Sequence, residues 1–465
     1  MNILELLKPS DKTALIQNKK QLSYQELLEK GTRFGGRLQQ EGIGMNQYVL
    51  IFIPLSSELY IAMIGAWSVG AIPIFIDFSR GAKFVDDSIE RLKPDVIVCD
   101  SVTGMVRKRH KKMRQLKAIN IKKSGQPVAV AKLNSEHPAI LTFTSGTTGF
   151  PKVAVRSHGF LINQYHVLSR HLNFAEHHID LGTLPVFTLA NLAANMTTLL
   201  PDKSYQAKIN PKKLAIKAQH YGVTRAICAP VLIENVLKHG TLPNLENVYL
   251  GGAPVYPSVL EKIRKDVDVN IVYGSTEAEP IASICWADVT GADRQKIANG
   301  AGLLVGKVVP EVQCKIGADG EILVSGATVL KGYLDGIGDH ENKIREGNTI
   351  WHRTGDGGYL DEQNRLWLLG RISQEIHDHQ GTLYPFCVEC ILDAHFGIRG
   401  AILAADNERM VVIEKGVANP EEVLQLLKPQ QITQVITVKK LPMEKRHGAK
   451  IDYAKLMELF RNNKK

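Results

Sequence analysis

The chain lacks any long apolar run. Its greasiest stretches, residues 49–55 and 59–78, are broken by Pro54, Glu58, Pro73 and Asp77, short of the roughly 18–20 apolar residues that a membrane-spanning helix needs. Cysteine is sparse and scattered, with only Cys387 and Cys390 at a CxxC spacing. A zinc site would want a second such pair, or histidines at ligand spacing. None is evident, so the pair is read as one face of a buried helix. The opening residues MNILELLKPSDK lack the basic, apolar and small-residue succession of a secretory signal. The expectation is a cytoplasmic enzyme. Internal repeats and low-complexity segments are also missing.

What is present is ordinary globular composition, 44% apolar and 22% charged in 465 residues, enough for two or three domains. The formal net charge is +10, and residues 107–123 hold nine Lys or Arg and no acid. Such a run could meet nucleic acid or an anionic membrane by counterion release. It has no interleaved aromatics and no nucleic-acid motif, so it is read as a solvated helix face or linker, with no nucleic-acid partner expected.

The first hundred residues alternate helix and strand signals. A helix is expected over residues 23–40, with Ser23 as N-cap and Glu26 three residues on. Strands are expected at 49–53, 71–76 and 95–99, with helices at 57–68 and 84–92 between them. The rhythm returns over residues 139–273, with strands at 226–229, 247–250 and 270–272. Together these predict an α/β protein with doubly wound parallel sheets. After Gly300, runs at 312–316 and 321–324 around a GADG turn predict an antiparallel β subdomain. From Arg371 the pattern predicts a small α+β unit: hairpin, helix 386–395, strands 401–404 and 410–413, helix 421–427, strand 434–438 and a last helix. The apolar stretch 184–200 reads either as the wall of an alkyl pocket or as a core helix.

The most informative segment is ILTFTSGTTGFPKVAVRSH, residues 140–158. An apolar strand feeds a loop of hydroxyl residues and glycines closed by Pro151 and Lys152. Gly146 and Gly149 let backbone N–H groups approach an anion closely. The hydroxyls of Thr144, Ser145, Thr147 and Thr148 add short donors, and Lys152 adds a point charge. No GxxxxGK[ST] is present, so this is not a Walker loop. It reads as a polyphosphate cradle.

TSGTTGFPK resembles the signature of the adenylate-forming superfamily of acyl-CoA synthetases, nonribosomal peptide adenylation domains and luciferases. Further segments resemble that family's motifs in the family's order. Gly251-Gly252-Ala253-Pro254 resembles its second nucleotide-side loop. Tyr273-Gly274-Ser275-Thr276-Glu277 resembles its adenine and magnesium motif. There the resemblance implies that Tyr273 lies against adenine, Thr276 contacts phosphate or carboxylate, and Glu277 holds Mg²⁺, with Thr147 as a second metal contact. Trp351 to Asp356, WHRTGD, resembles the segment whose aspartate binds ribose hydroxyls, and Arg371 of Gly370-Arg371 would contact the ribose near a hinge. RHGAKID, residues 446–452, resembles the loop of the catalytic lysine, which makes Lys450 the residue bridging the acid and the α-phosphate. The resemblance implies ATP and Mg²⁺ as cofactors, an AMP-binding domain over 1–371, and a mobile lid domain over 372–465.

Three departures bear on the branch. Ser373 stands two residues after Arg371, where acyl-CoA synthetases carry Asp or Lys. The following segment reads GTLYPFCVECILDAHFGI, and the lysine loop reads RHGAKID. With WHRTGDGGYLDEQNRLWLLGR and TLPVFTLANLAANMTTLLPD they resemble the olefin-biosynthesis β-lactone synthetases. That implies a 2-alkyl-3-hydroxy fatty acid whose own hydroxyl displaces AMP, with His447 as a candidate proton acceptor. The alternative is a fatty acyl-CoA ligase that passes the acyl group to CoA. Association with other lipid-pathway enzymes is a further expectation.

Overall fold

The computed structural model describes residues 1–144, 152–202, 209–405, 408–444 and 450–463. The chain forms two compact units: Met1–Ile227 with His239–Leu245 and Ala327–Lys343, and Cys228–Lys238 with Glu246–Gly326 and Ile344–Lys465.

In the first unit a six-stranded sheet runs Lys117–Asn120, Val96–Cys99, Tyr48–Phe52, Ile72–Phe75, Pro138–Thr144 and Lys152–Ser157. All neighbours are parallel except the last pair. Alternate side chains enter opposite cores. Val49, Ile51, Val96 and Val98 pack with Phe34, Leu38, Tyr60 and Trp67. Leu50, Ile97 and Leu141 pack with Ile89, Leu92 and Met113. A sheet buried on both faces needs this near-continuous apolar lettering. The helix Tyr24–Gln40 begins where expected, with Ser23 and Glu26 completing a capping box, and Ser57–Ser68 is helical.

A further series of strands runs Arg225–Cys228, Ile179–Gly182, Thr197–Leu199, Thr13–Gln17 and Lys20–Ser23. It corrects the reading of residues 184–200 as one core helix. Pro185–Ala193 is helical, but Asn195 takes a left-handed φ of 55°, and Thr197–Leu199 then forms a strand beside Ile179–Gly182. An Asn that tolerates left-handed backbone ends a helix at little steric cost.

In the second unit the strands run Val312–Ile316, Glu321–Gly326, Thr349–Leu360, Arg365–Arg371, Leu303–Val308, Ala278–Cys285, Asp268–Ser275 and Asn247–Gly251. They are antiparallel except the last pair, as the short β runs after Gly300 suggested. The α+β element follows. A hairpin, Ile376–Asp378 with Gly381–Leu383, leads to the helix Pro385–Phe396 and a three-stranded sheet of Gly400–Ala405, Glu408–Glu414 and Ile432–Val438. Cys390 is fully buried on that helix and both CxxC thiols are free, as the helix-face reading expects. Among the described residues no helix is long and apolar enough to cross a membrane.

Candidate active site

The strand Pro138–Thr144 and its return strand Lys152–Ser157 pair in register, Phe143 with Val153 and Thr144 with Lys152. Ser145, Gly146, Thr147, Thr148 and Gly149 lie outside the described residues, as does the side chain of Thr144. Lys152 is nine-tenths buried, at 6% exposure. Its Nζ donates to Asn342 Oδ1 at 2.9 Å and stands 5.5 Å from the ring centroid of Tyr333. The stem of Lys152 crosses Gly338, whose φ is +99° and where a Cβ would lie 2.4 Å from the lysine Cδ. Only glycine satisfies both conditions. The base of the loop is thus fixed by residues 333–342, which return to this unit from far along the chain. The sequence reading missed Tyr333, Gly338 and Asn342. They carry no charge and no motif, and only the fold brings them to Lys152.

In the second unit, three of the motif residues meet. Tyr273 ends the strand Asp268–Ser275, and its Oη donates to Asp356 Oδ2 at 2.8 Å. Asp356 Oδ1 accepts from Arg371 Nε at 3.1 Å, and Arg371 also donates to the Thr354 carbonyl at 2.9 Å. Asp356 and Arg371 are register partners on adjacent strands. Burial, and then the Asp356 charge, push the Tyr273 phenol well above its ordinary range. It therefore stays protonated as a donor. Asp356 is the first cause that raises the Arg371 pKa, and the carboxylates of Glu277 and Glu444 raise it further. A carboxylate that already holds a guanidinium and a phenol keeps lone pairs for hydroxyl donors.

The backbone around this group is tightly set. Gly251 faces Val272 across parallel strands, and a Cβ there would sit 2.7 Å from the Val272 carbonyl oxygen. Gly252 and Ala253 continue from that strand end. Gly274 and Ser275 close the Tyr273 strand. Thr276 and Glu277 form the two-residue turn into Ala278–Cys285, with Glu277 N donating to Ser275 Oγ at 3.2 Å. Beneath Asp356, the buried Glu321 accepts from Gly355 N at 2.7 Å and Arg353 Nε at 2.5 Å. Sequence reasoning missed Glu321, since a strand-start glutamate gives no signal of its own.

Lys450 sits at a foot formed by a bridge between Met443 and Ile451 and by Glu444 N donating to the Lys450 carbonyl at 2.8 Å. Because Glu444 acts electrostatically on Arg371, this foot lies within charge reach of the Tyr273–Asp356–Arg371 group. His447 lies outside the described residues.

The group thus joins a hydroxyl, a carboxylate and a guanidinium, and the family model described as AMP-binding enzyme matches residues 6–334. The chain belongs to the AMP-binding enzyme family. It is an ATP-dependent, adenylate-forming, acid-activating ligase. This AMP-binding enzyme is 27% identical over 431 residues to the olefin beta-lactone synthetase of Xanthomonas campestris pv. campestris, covering 82% of this chain and 77% of that one. It is 25% identical over 405 residues to the 2-succinylbenzoate–CoA ligase of Bacillus licheniformis, covering 83% and 82%. Its fold is similar to that of ATP-bound MatB from Rhodopseudomonas palustris, with a TM-score of 0.84 and 20% identity over the whole of both chains.

Proposed function

We propose that this enzyme activates a long-chain 2-alkyl-3-hydroxy fatty acid and closes it to a β-lactone. In the first step a carboxylate oxygen attacks the α-phosphorus of ATP and pyrophosphate leaves. Lys152 and the hydroxyl-rich turn 144–149 hold the polyphosphate. Tyr273 lies against adenine, and Asp356 and Arg371 hold the ribose, with Gly251, Gly252, Ala253, Gly274 and Ser275 shaping the backbone. Thr276 meets the acid or α-phosphate, and Lys450 bridges both. Glu277, a half-buried hard oxygen ligand at a strand turn, fits a magnesium ion, with Thr147 as the second protein contact. The metal supplies charge neutralisation on the phosphates.

In the second step the β-hydroxyl oxygen attacks the acyl carbonyl carbon. The bond from that carbon to the AMP oxygen breaks, and the hydroxyl proton passes to His447. An internal nucleophile has a high effective molarity, so no second substrate is needed. The adenylation reading is carried by the meeting at Asp356 of Tyr273, 83 positions before it in the chain, and Arg371 on the neighbouring strand. The lactone branch is supported by the similarity to the olefin beta-lactone synthetase. A CoA ligase is the second reading, favoured by the similarity to 2-succinylbenzoate–CoA ligase. The domain division 1–371 and 372–465, a cytoplasmic location and association with lipid-pathway enzymes belong to the same proposal.

The test is incubation with ATP, Mg²⁺ and a 2-alkyl-3-hydroxy acid, with and without CoA. The expected result is AMP, pyrophosphate and β-lactone without CoA. Product only when CoA is supplied transfers the enzyme to the ligase reading. Absence of pyrophosphate release across fatty, β-hydroxy and aromatic acids overturns both.

A further inference from the structure

The basic run 107–123 is ordered, and its exposed face is not purely charged. Helix Ser101–Val106 passes into the short helical turn Arg107–Arg109 without leaving helical backbone, with Val106 at φ −60° and ψ −43° and Arg107 at φ −55° and ψ −31°. Positions three and four apart on a helix share a face. Val102, Met105 and then Lys108 and Arg109 therefore line one stripe, and all four are exposed, Met105 at 64%. The opposite side holds Thr103, which is buried, and Arg107, which donates to the carbonyls of Met113 and Leu116.

Two cations near this stripe are matched, Lys112 with Glu90 at 3.2 Å and Lys117 with Glu41 at 2.9 Å. Among the described residues no carboxylate pairs with Lys108, Arg109, Lys111 or Arg114. Residues 101–123 contain no acid and no Phe, Tyr or Trp. Single-stranded nucleic acid is held by aromatic stacking platforms, which this face lacks. An exposed methionine and valine in line with unpaired cations instead match the boundary between anionic headgroups and acyl chains.

We propose that this face docks the enzyme on an anionic phospholipid surface, with Lys108 and Arg109 on the headgroups and Met105 and Val102 entering the boundary. None of these residues is among those assigned to adenylation. The probe is co-sedimentation with vesicles of phosphatidylcholine, with or without phosphatidylglycerol. The expected result is binding to the phosphatidylglycerol vesicles that fades with added salt. Lys108→Gln with Arg109→Gln lowers that affinity about 30-fold, and Met105→Glu lowers it further. Both variants keep the parent rate of pyrophosphate release on a water-soluble acid. Failure to bind either vesicle, equal binding to both, or unaltered binding by the variants overturns the proposal. So does displacement from the vesicles by a single-stranded RNA or duplex DNA oligonucleotide at matched charge, which would assign the face to nucleic acid.

Discussion

At the scale of single residues, the strongest constraints lie where side chains act through one another. Gly338 has no room for a methyl because Lys152 occupies it. Gly338→Ala therefore displaces the lysine stem, and pyrophosphate release should fall at least tenfold while the chain still folds, as read by circular dichroism. Asn342→Ala should cost less, since it removes one acceptor and leaves the stem in place. Asp356→Asn keeps the shape but strips the anion from Arg371 and leaves a single oxygen acceptor for the two donors. Losing a charge-assisted bond of this kind costs about 1.5–3 kcal/mol, which predicts ATP binding weakened about 10- to 100-fold by calorimetric titration. Lys450→Ala should separate binding from chemistry: turnover drops by orders of magnitude and ATP affinity holds. Unchanged turnover would remove Lys450 from the mechanism.

At the scale of elements, two buried polar groups tie neighbours together. Arg225 and Asp180 are register partners on adjacent strands, both fully buried, joined at 2.9 Å and both bonded to Asn191. Removing one member of a buried pair strands the other, at about 3–5 kcal/mol. Arg225→Met should lower the urea midpoint accordingly. On the helix Pro385–Phe396, Glu389 accepts from Tyr256, whose ring lies 3.8 Å beneath the Arg399 guanidinium. Burial pushes the Glu389 carboxyl up from 4.5 to about 7, against the opposing pull of Tyr256, Arg399 and Tyr453. A carboxyl whose native pKa lies above its unfolded one adds stability below the unfolded value and loses it as pH rises through the native value. Wild type should therefore lose up to roughly 3 kcal/mol relative to Glu389→Gln between about pH 5 and pH 8. A flat difference in urea unfolding across that range would refute the assignment.

These elements also show what the letters could and could not reveal. The helix Tyr24–Gln40 was readable because its cap is local, Ser23 and Glu26 three residues apart. The parallel strands were readable because both faces are apolar. The turn at Asn195 was not, because a short Thr-Thr-Leu strand gains its identity only from the neighbours it pairs with. Tyr273, Asp356 and Arg371 were readable as motif members, whereas Asn342 and Glu321 were not: each works through a partner at least 32 positions away, a separation that no local pattern encodes.

For the whole molecule, the chain threads back into the first unit as Ala327–Lys343 after building most of the second unit's large sheet. The region matched by the family model stops at 334, eight positions short of Asn342. A truncation at that point would keep the whole matched region, yet would leave Lys152 without its amide anchor and without Gly338 beneath its stem. Such a shortened polypeptide should express as a poorly cooperative species unable to release pyrophosphate. Extending it through Lys343 should restore the amide anchor. Here the anchorage of Lys152 is assembled late, by a clasp that the ribosome delivers nearly two hundred residues after the lysine it fastens.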